Sequence, residues 1–332
     1  MARFWRRLAC AISWAVSASG LALAQDAPSR QVLESFPVEA VPAAHGKPVY
    51  ELSLASCQSA PCPFEVRLLS RPGKTEPGMV PGGKASAVLD SIALGWPANA
   101  TEAQSVDAQA RPGGWALAPG PAPRVWSTGE EENHVSVSAR TLPLEREKPG
   151  TSRALWVTQM AGFDHPKRRH AMYVASSVRL KTAWSRSDPQ GPHVSRVVVP
   201  VHGAPVHLSM FLSPSDDVAD KVSAQRLEWD GRRQVFVEKP AAAALHAVVA
   251  ASYSTLREAR AARAASACVA EYGVVDTWPA KGLVPRRYAL IALAVEPVQA
   301  AAETARLSEC QPDAPVRVHP LGRLSPRSFS AR

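Results

Sequence analysis

Apolar and polar residues alternate along most of the chain between residues 45 and 239. The runs at 49–54, 64–69, 134–140 and 153–160 illustrate the pattern, and similar runs continue to residue 238. Because successive side chains of a strand point to opposite faces, the alternation predicts half-buried β-strands. Roughly nine or ten strands with turn-sized gaps indicate an antiparallel meander, which fits a sandwich, a barrel or a partial propeller.

Proline and glycine mark the segments between the predicted strands. They recur at short intervals in residues 71–84 and 97–124, which we predict to be loops. Residues 25–44 are rich in proline and alanine and are predicted to be a flexible lead-in, and residues 323–332 a disordered tail. The dipeptide Asp230-Gly231 predicts a hairpin turn.

The pattern changes near residue 240. A capped helical segment covers 255–265, a buried strand covers 288–295, and a second helix begins at Pro297. With short strands around them, the order becomes β-α-β-β-α-β within about 80 residues, the split-βαβ plan of ferredoxin-like domains. We therefore predict a mainly β domain over residues 45–239 and a small α+β ferredoxin-like domain over residues 241–322.

The C-terminal domain carries a partial motif in its first strand, at 246–253. Three of its residues agree in kind with the motif of a known family: Val248, Ser252 and Tyr253. Tyr288 opens the third predicted strand, as a tyrosine does in that family. The segment thus resembles the SPOR (sporulation-related repeat) domain, a small peptidoglycan-binding module. The resemblance implies glycan binding on the exposed sheet face, with Ser252, Tyr253 and Tyr288 near the ligand.

The first 24 residues have the pattern of a cleavable signal peptide. Three arginines and no acidic residue precede Leu8, an apolar stretch reaches Leu23, and Ala22-Leu23-Ala24 forms a small-x-small cleavage pattern. The alternative is an uncleaved amphipathic anchor. We expect a periplasmic or secreted protein of the bacterial envelope, without a transmembrane segment in the mature chain.

The charge of the mature chain limits its partners. The full chain carries +9, and removal of three arginines leaves +6 (9 − 3 = 6). A modest positive charge favours anionic partners, and nucleic acid is a poor partner for an exported protein. Candidate partners are peptidoglycan glycan strands or an envelope protein.

Four cysteines remain after cleavage of residues 1–24. An even number in an oxidising compartment predicts disulfides. Cys57 and Cys62 would close a tight local loop, which leaves Cys268 and Cys310 as the second pair by elimination. The antiparallel helices of a ferredoxin-like domain would hold Cys268 and Cys310 apart. Either the helices are arranged differently, or these two cysteines do not pair.

Motifs that carry chemistry are missing from the sequence. It contains no Gly-x-Ser-x-Gly elbow, His-Glu-x-x-His helix, phosphate-binding loop or dinucleotide fingerprint. The pairs His165/His170 and His202/His207 are each five residues apart, a spacing that places side chains of one strand on opposite faces. We therefore expect no catalytic activity, no cofactor and no metal.

A basic cluster of Lys167, Arg168 and Arg169 is predicted at the tip of a hairpin, before a return strand that begins at His170, and it could meet a phosphate, a carboxylate or an acidic partner. Three functional hypotheses follow from the sequence. The first is a non-catalytic envelope protein that binds peptidoglycan or other envelope components through the SPOR-like domain. The second is a periplasmic protein–protein scaffold without glycan binding. The third is a hydrolase whose site is assembled from scattered residues of the β domain.

Overall fold

A computed structural model describes a set of separate ranges of the chain: residues 30–39, 48–55, 62–70, 86–96, 103–106, 124–128, 134–145, 152–162, 167–188, 193–200, 203–213, 215, 217–241, 246–270, 272–277, 287–294, 296–312 and 315–320. Within these ranges, no helix is long and apolar enough to cross a membrane. The predicted signal peptide and the predicted C-terminal tail lie outside the described residues.

The N-terminal strands form two antiparallel sheets. Sheet 1 has the order β1-β2-β3-β4 and sheet 2 the order β10-β9-β8-β7-β6-β5. Sheet 1 consists of β1 (Gln31–Pro37), β2 (Val49–Leu54), β3 (Phe64–Leu69) and β4 (Val88–Ala93). Sheet 2 consists of β5 (Gln104–Val106), β6 (Val125–Ser127), β7 (Val135–Pro143), β8 (Arg153–Ala161), β9 (Lys167–Ser176) and β10 (Arg179–Ser187).

Two further antiparallel sheets and two α-helices follow. Sheet 3 has the order β11-β12-β13-β14 and sheet 4 the order β16-β17-β15-β18. Sheet 3 consists of β11 (His193–Val198), β12 (Val206–Phe211), β13 (Lys221–Asp230) and β14 (Val235–Pro240). Sheet 4 and its helices consist of β15 (His246–Tyr253), α1 (Leu256–Ala265), β16 (Gly273–Asp276), β17 (Tyr288–Ala294), α2 (Pro297–Cys310) and β18 (Arg317–Pro320).

The four sheets stack face to face in chain order. On β8, Leu155 and Val157 face sheet 1 and share a buried cluster with Tyr50 and Phe64. The intervening Trp156 faces the other way and shares a second cluster with sheet 3. This alternation is the period-2 pattern read from the sequence, and it lets sheet 2 bury both faces.

Sheet 3 in turn packs against sheet 4, and the helices cover the far side of sheet 4. The interface between sheets 3 and 4 is made of aliphatic side chains: Val206, Leu208, Met210, Val249, Ile291 and Leu293. On the opposite face of sheet 4, Leu256 of α1 and Leu307 of α2 pack on Val248 and Leu290. The stack therefore ends in a layer of helices.

The prediction of a mainly β, antiparallel chain is confirmed. The lead-in predicted over residues 25–44 is corrected, because β1 lies within it and pairs with β2. Its Leu33 is buried against sheet 1 and sheet 2. The strand β5 lies inside the loop predicted over 97–124. With three residues, β5 is too short to show a period in the sequence.

The hairpin turn predicted at Asp230 joins β13 and β14. Asp230 pairs with Val235, and its carboxylate accepts hydrogen bonds from the backbone N–H groups of Arg232 and Arg233. An aspartate that binds the backbone two residues on is typical of turns. The left-handed position of this turn belongs to Gln234, with φ of 52°, and not to Gly231.

The disulfide between Cys268 and Cys310 is confirmed, with Cα atoms 6.2 Å apart. The two cysteines are not held apart as predicted, because α1 has only ten residues and β16 only four. Gly273 at the start of β16 pairs with Ile291 in the middle of β17. After α1 the chain therefore joins the sheet opposite the middle of β17. This brings Cys268 close to the C-terminal half of α2, which holds Cys310.

Polar contacts hold the same segment to α2. Arg306 Nη2 donates to the Cys268 carbonyl at 2.8 Å, and the Tyr272 hydroxyl donates to the buried carboxylate of Glu303. Arg306 also pairs with Glu303, at 2.6 Å. Burial raises the pKa of Tyr272 above its ordinary value, and the neighbouring Glu303 carboxylate adds to the effect.

Cys62 is disulfide-bonded, and its predicted partner Cys57 lies outside the described residues.

Candidate functional site

The three predicted ligand residues of the SPOR-like motif do not share one sheet face. The pairing of β15 with β17 shifts between Val249 and Ala251. Tyr253 lies opposite Tyr288, and both pack on the helix-side cluster. Ser252 lies opposite Ala289, which belongs to the cluster facing sheet 3. Ser252 is exposed and the two tyrosines are half-buried.

The sheet face expected to be open is covered by sheet 3. Leu208 and Met210 of β12 pack on Val249, Ile291 and Leu293, all buried. The approach is so close that a Cβ on Gly273 would lie 2.6 Å from the Met210 sulfur. A glycan strand has no access to this part of the face, so the expectation of an exposed binding face is corrected.

Buried polar contacts reinforce the junction between sheets 3 and 4. The side chain of Asp220 is fully buried and accepts from the Val274 backbone N–H at 2.8 Å and from Arg263 Nη1 at 2.6 Å. Its backbone N–H donates to the Val274 carbonyl at 2.9 Å. Arg260 on α1 donates to the Val218 carbonyl at 2.7 Å. Because removal of one partner would leave a buried charge, these contacts hold the layers in one arrangement.

The predicted basic patch is divided between two faces. Lys167, Arg168 and Arg169 all lie in β9, where neighbouring side chains alternate. Lys167 is exposed, whereas Arg168 is half-buried and contacts the Met160 sulfur at 3.4 Å. Arg169 is also half-buried and lies over Gly95. A single phosphate or carboxylate therefore does not meet all three side chains, and the prediction of one patch is wrong.

A polar network that the sequence did not predict lies between sheets 2 and 3. His170 is 2% exposed. Its Nδ1 lies 2.9 Å from Thr158 Oγ1 and its Nε2 lies 2.9 Å from Ser195 Oγ. Ser195 Oγ donates to Asp188 Oδ1 at 2.7 Å. The His207 ring lies edge-on to His170, with centroids 5.8 Å apart.

The hydrogen-bond directions separate this network from a nucleophilic triad. Ser195 has one hydroxyl proton, which goes to Asp188, so its oxygen accepts from the N–H of His170 Nε2. In the tautomer with a single proton, on Nε2, Nδ1 accepts from the Thr158 hydroxyl. In a triad the histidine lies between serine and carboxylate and receives the serine proton. Ser195 is also 1% exposed. The geometry fits a structural network rather than catalysis.

The contact between His170 and His207 brings together one member of each histidine pair noted in the sequence. The other members, His165 and His202, lie outside the described residues. Over the described ranges, no group of three or more His, Cys, Asp or Glu side chains could hold a metal ion. The contact joins two different sheets, so spacing along one strand gave no signal for it.

The chain matches no family model, and it shows no significant similarity to a curated protein or to a solved structure. The resemblance to the SPOR family therefore depends on the element order after residue 240 and on the partial motif in β15.

Proposed function

We propose that this chain is a non-catalytic protein of the bacterial envelope that acts as a scaffold for a protein partner. Residues 1–24 direct its export, and the C-terminal residues form a ferredoxin-like, SPOR-related domain. The sheet of that domain packs against sheet 3 rather than displaying a glycan-binding face. N-terminal sequencing of the exported protein tests the first part, and we expect Gln25 as the first residue.

The connections of sheet 4 support a ferredoxin-like plan. The strands β15 and β16 are joined through α1 and are separated in the sheet by β17. The strands β17 and β18 are joined through α2 and are separated by β15. Two interleaved βαβ units of this kind define the split-βαβ arrangement. Both helices pack on one face of the sheet, in a single cluster.

The observation that carries the scaffold proposal is the burial of the sheet face beneath β12. Val249, Ile291 and Leu293 are each 5% exposed or less. Burial of one large aliphatic side chain stabilises a fold by about 1.5–3 kcal/mol. Exposing this face to bind a glycan would cost several times that free energy. An oligosaccharide makes mainly polar and stacking contacts, which would not replace the lost aliphatic packing.

A pull-down of the mature chain with purified sacculi tests the proposal. We expect the protein to stay in solution and to form a discrete cross-linked complex with an envelope protein in cells. Saturable binding to glycan strands stripped of stem peptides, weakened by Tyr253→Ala and unaffected by Ser177→Ala in the distant β9–β10 turn, would contradict it.

A second candidate function is glycan binding at the end of β15 and β17. The observation in its favour is that Tyr253 and Tyr288 lie directly opposite each other and keep part of their surface exposed. Paired aromatic side chains can stack on sugar rings. Under this alternative, Tyr253→Ala and Tyr288→Ala would weaken sacculus binding to similar extents under conditions in which both variants are shown to be folded.

A further inference from the structure

Arg140 and Trp156 form a stacked pair on the face of sheet 2 that is turned towards sheet 3. They lie directly opposite each other on β7 and β8. The guanidinium carbon of Arg140 lies 3.9 Å from the centroid of the Trp156 ring. The neighbouring residues Ala139 and Leu155 point to the opposite face of sheet 2, where they are buried against sheet 1. The strands that carry the pair are therefore fixed by the core.

Both side chains of the pair hold a buried donor that has no acceptor among the described residues. These donors are Arg140 Nε and Trp156 Nε1. No carboxylate of the described chain forms an ion pair with Arg140. Burial lowers the pKa of Arg140 to about 10. The guanidinium is half-buried, but its shielded Nε donor has no acceptor in the described part of the chain, which is costly to a fold and is common where a ligand supplies the missing partner.

Two hydroxyl groups flank the pair on the same face. Ser138 and Thr158 are opposite each other two positions along β7 and β8, which places them beside Arg140 and Trp156. Arg140 and Ser138 are half-buried rather than buried. A small ligand can therefore reach the guanidinium from solvent while the indole N–H remains shielded.

We propose that Arg140 and Trp156 form a binding site for a carboxylate group of a ligand. The site offers one positive charge, the indole N–H and the Ser138 hydroxyl, because the Thr158 hydroxyl is already hydrogen-bonded to His170 Nδ1. A monoanion therefore neutralises the site, whereas a dianionic phosphate would leave one negative charge unpaired. The planar carboxylate also matches the fork of N–H donors on a guanidinium. This inference goes beyond the scaffold proposal and stands independently of it.

The test uses the mature chain and two probes that differ in one group, N-acetylalanine and N-acetylalanine amide. The ¹⁵N resonance of the Trp156 indole, assigned with Trp156→Phe, reports binding. We expect a saturable shift with N-acetylalanine and none with its amide. An equal response to both probes, or no shift with N-acetylalanine, would overturn the proposal. A stronger response to inorganic phosphate would also overturn it.

Variants locate the response. Arg140→Met is expected to weaken N-acetylalanine binding by about 10-fold or more, the loss of one charge-assisted hydrogen bond. Its thermal stability without ligand should change little, because the methionine side chain keeps an apolar contact with the Trp156 ring while the unpaired charge is removed. Arg179→Met is the matched control, since Arg179 is an exposed arginine of the same sheet, at the start of β10. Undiminished binding in Arg140→Met, or an equal loss in Arg179→Met, would refute the assignment.

Discussion

The two faces of sheet 3 pack in different ways on their neighbours. Towards sheet 4, Val206, Leu208 and Met210 make an aliphatic interface. Towards sheet 2, the intervening His207 meets Trp184 and His170, and Ser195 joins the buried network of hydrogen bonds. The aliphatic face contributes more free energy through burial. The polar face restricts the alignment of the two sheets, because its hydrogen bonds are satisfied in one register.

The largest effect is expected on the aliphatic face. Leu208 is 1% exposed at the centre of the interface with sheet 4. Leu208→Ala should lower the free energy of unfolding by about 2–5 kcal/mol, from lost burial and the cavity left behind. Urea denaturation of the mature chain measures this value. A loss under about 1 kcal/mol would mean that sheets 3 and 4 are not closely packed.

A change in the opposite direction tests how tightly the same interface is filled. Gly273→Ala places a methyl group against the buried Met210 sulfur. Overpacking of this kind costs about 1–3 kcal/mol. Gly231→Ala is the control, because the nearest atom to its added Cβ lies 3.5 Å away in Trp229. Equal stability of the two variants would contradict close packing at Gly273.

The polar face should be sensitive to the loss of a single hydroxyl group. Ser195→Ala removes the link between His170 Nε2 and Asp188 Oδ1, and leaves the buried imidazole and the half-buried carboxylate each with one partner fewer. We expect a loss of about 1–2 kcal/mol in the free energy of unfolding. Ser223→Ala, at a half-buried position of the same sheet, should change it by about 0.5 kcal/mol or less. Similar values for both serines would show that the network does not stabilise the fold.

The smallest effect is expected at Gln234, in the turn between β13 and β14, because this residue belongs to neither of the two buried interfaces. Gln234 has a φ of 52°, a conformation that is costly for residues other than glycine. Gln234→Gly should raise the free energy of unfolding by about 0.5 kcal/mol, after the greater entropy of the unfolded chain is subtracted. Arg233→Gly in the same turn lacks a positive φ to relieve and should lower stability. Thermal unfolding of both variants provides the comparison.

The sequence predicted elements better than it predicted contacts between them. Alternation located most of the strands of sheets 2 and 3, and a predicted Ser/Thr cap located α1. The structure adds that Thr255 and Glu258 form a capping box. The strand β5 was not predicted, because three residues are too few to show an alternating pattern. Cys268 and Cys310 were named as a pair, although the lengths of α1 and β16 that bring them together were not foreseen.

The candidate site was harder to predict, because its residues come from different sheets. The His170 network joins β8, β9 and β11, and no spacing along the chain encodes that contact. The sequence does contain a feature that distinguishes Arg140. The polar residues Ser136, Ser138 and Arg140 alternate with apolar residues on β7, and β7 lies inside a six-stranded sheet. A polar residue on an interior strand faces a second layer or a ligand.

The central claim is that sheet 3 covers one face of sheet 4, so that sheet 4 lies between sheet 3 and the two helices. A double-mutant cycle with Met210→Ala and Gly273→Ala tests this contact most directly, by urea denaturation of the mature chain. We expect Gly273→Ala to cost at least about 1 kcal/mol less when Met210 is already truncated, because the added methyl group then has space. Additivity of the two changes within about 0.5 kcal/mol would contradict the claim.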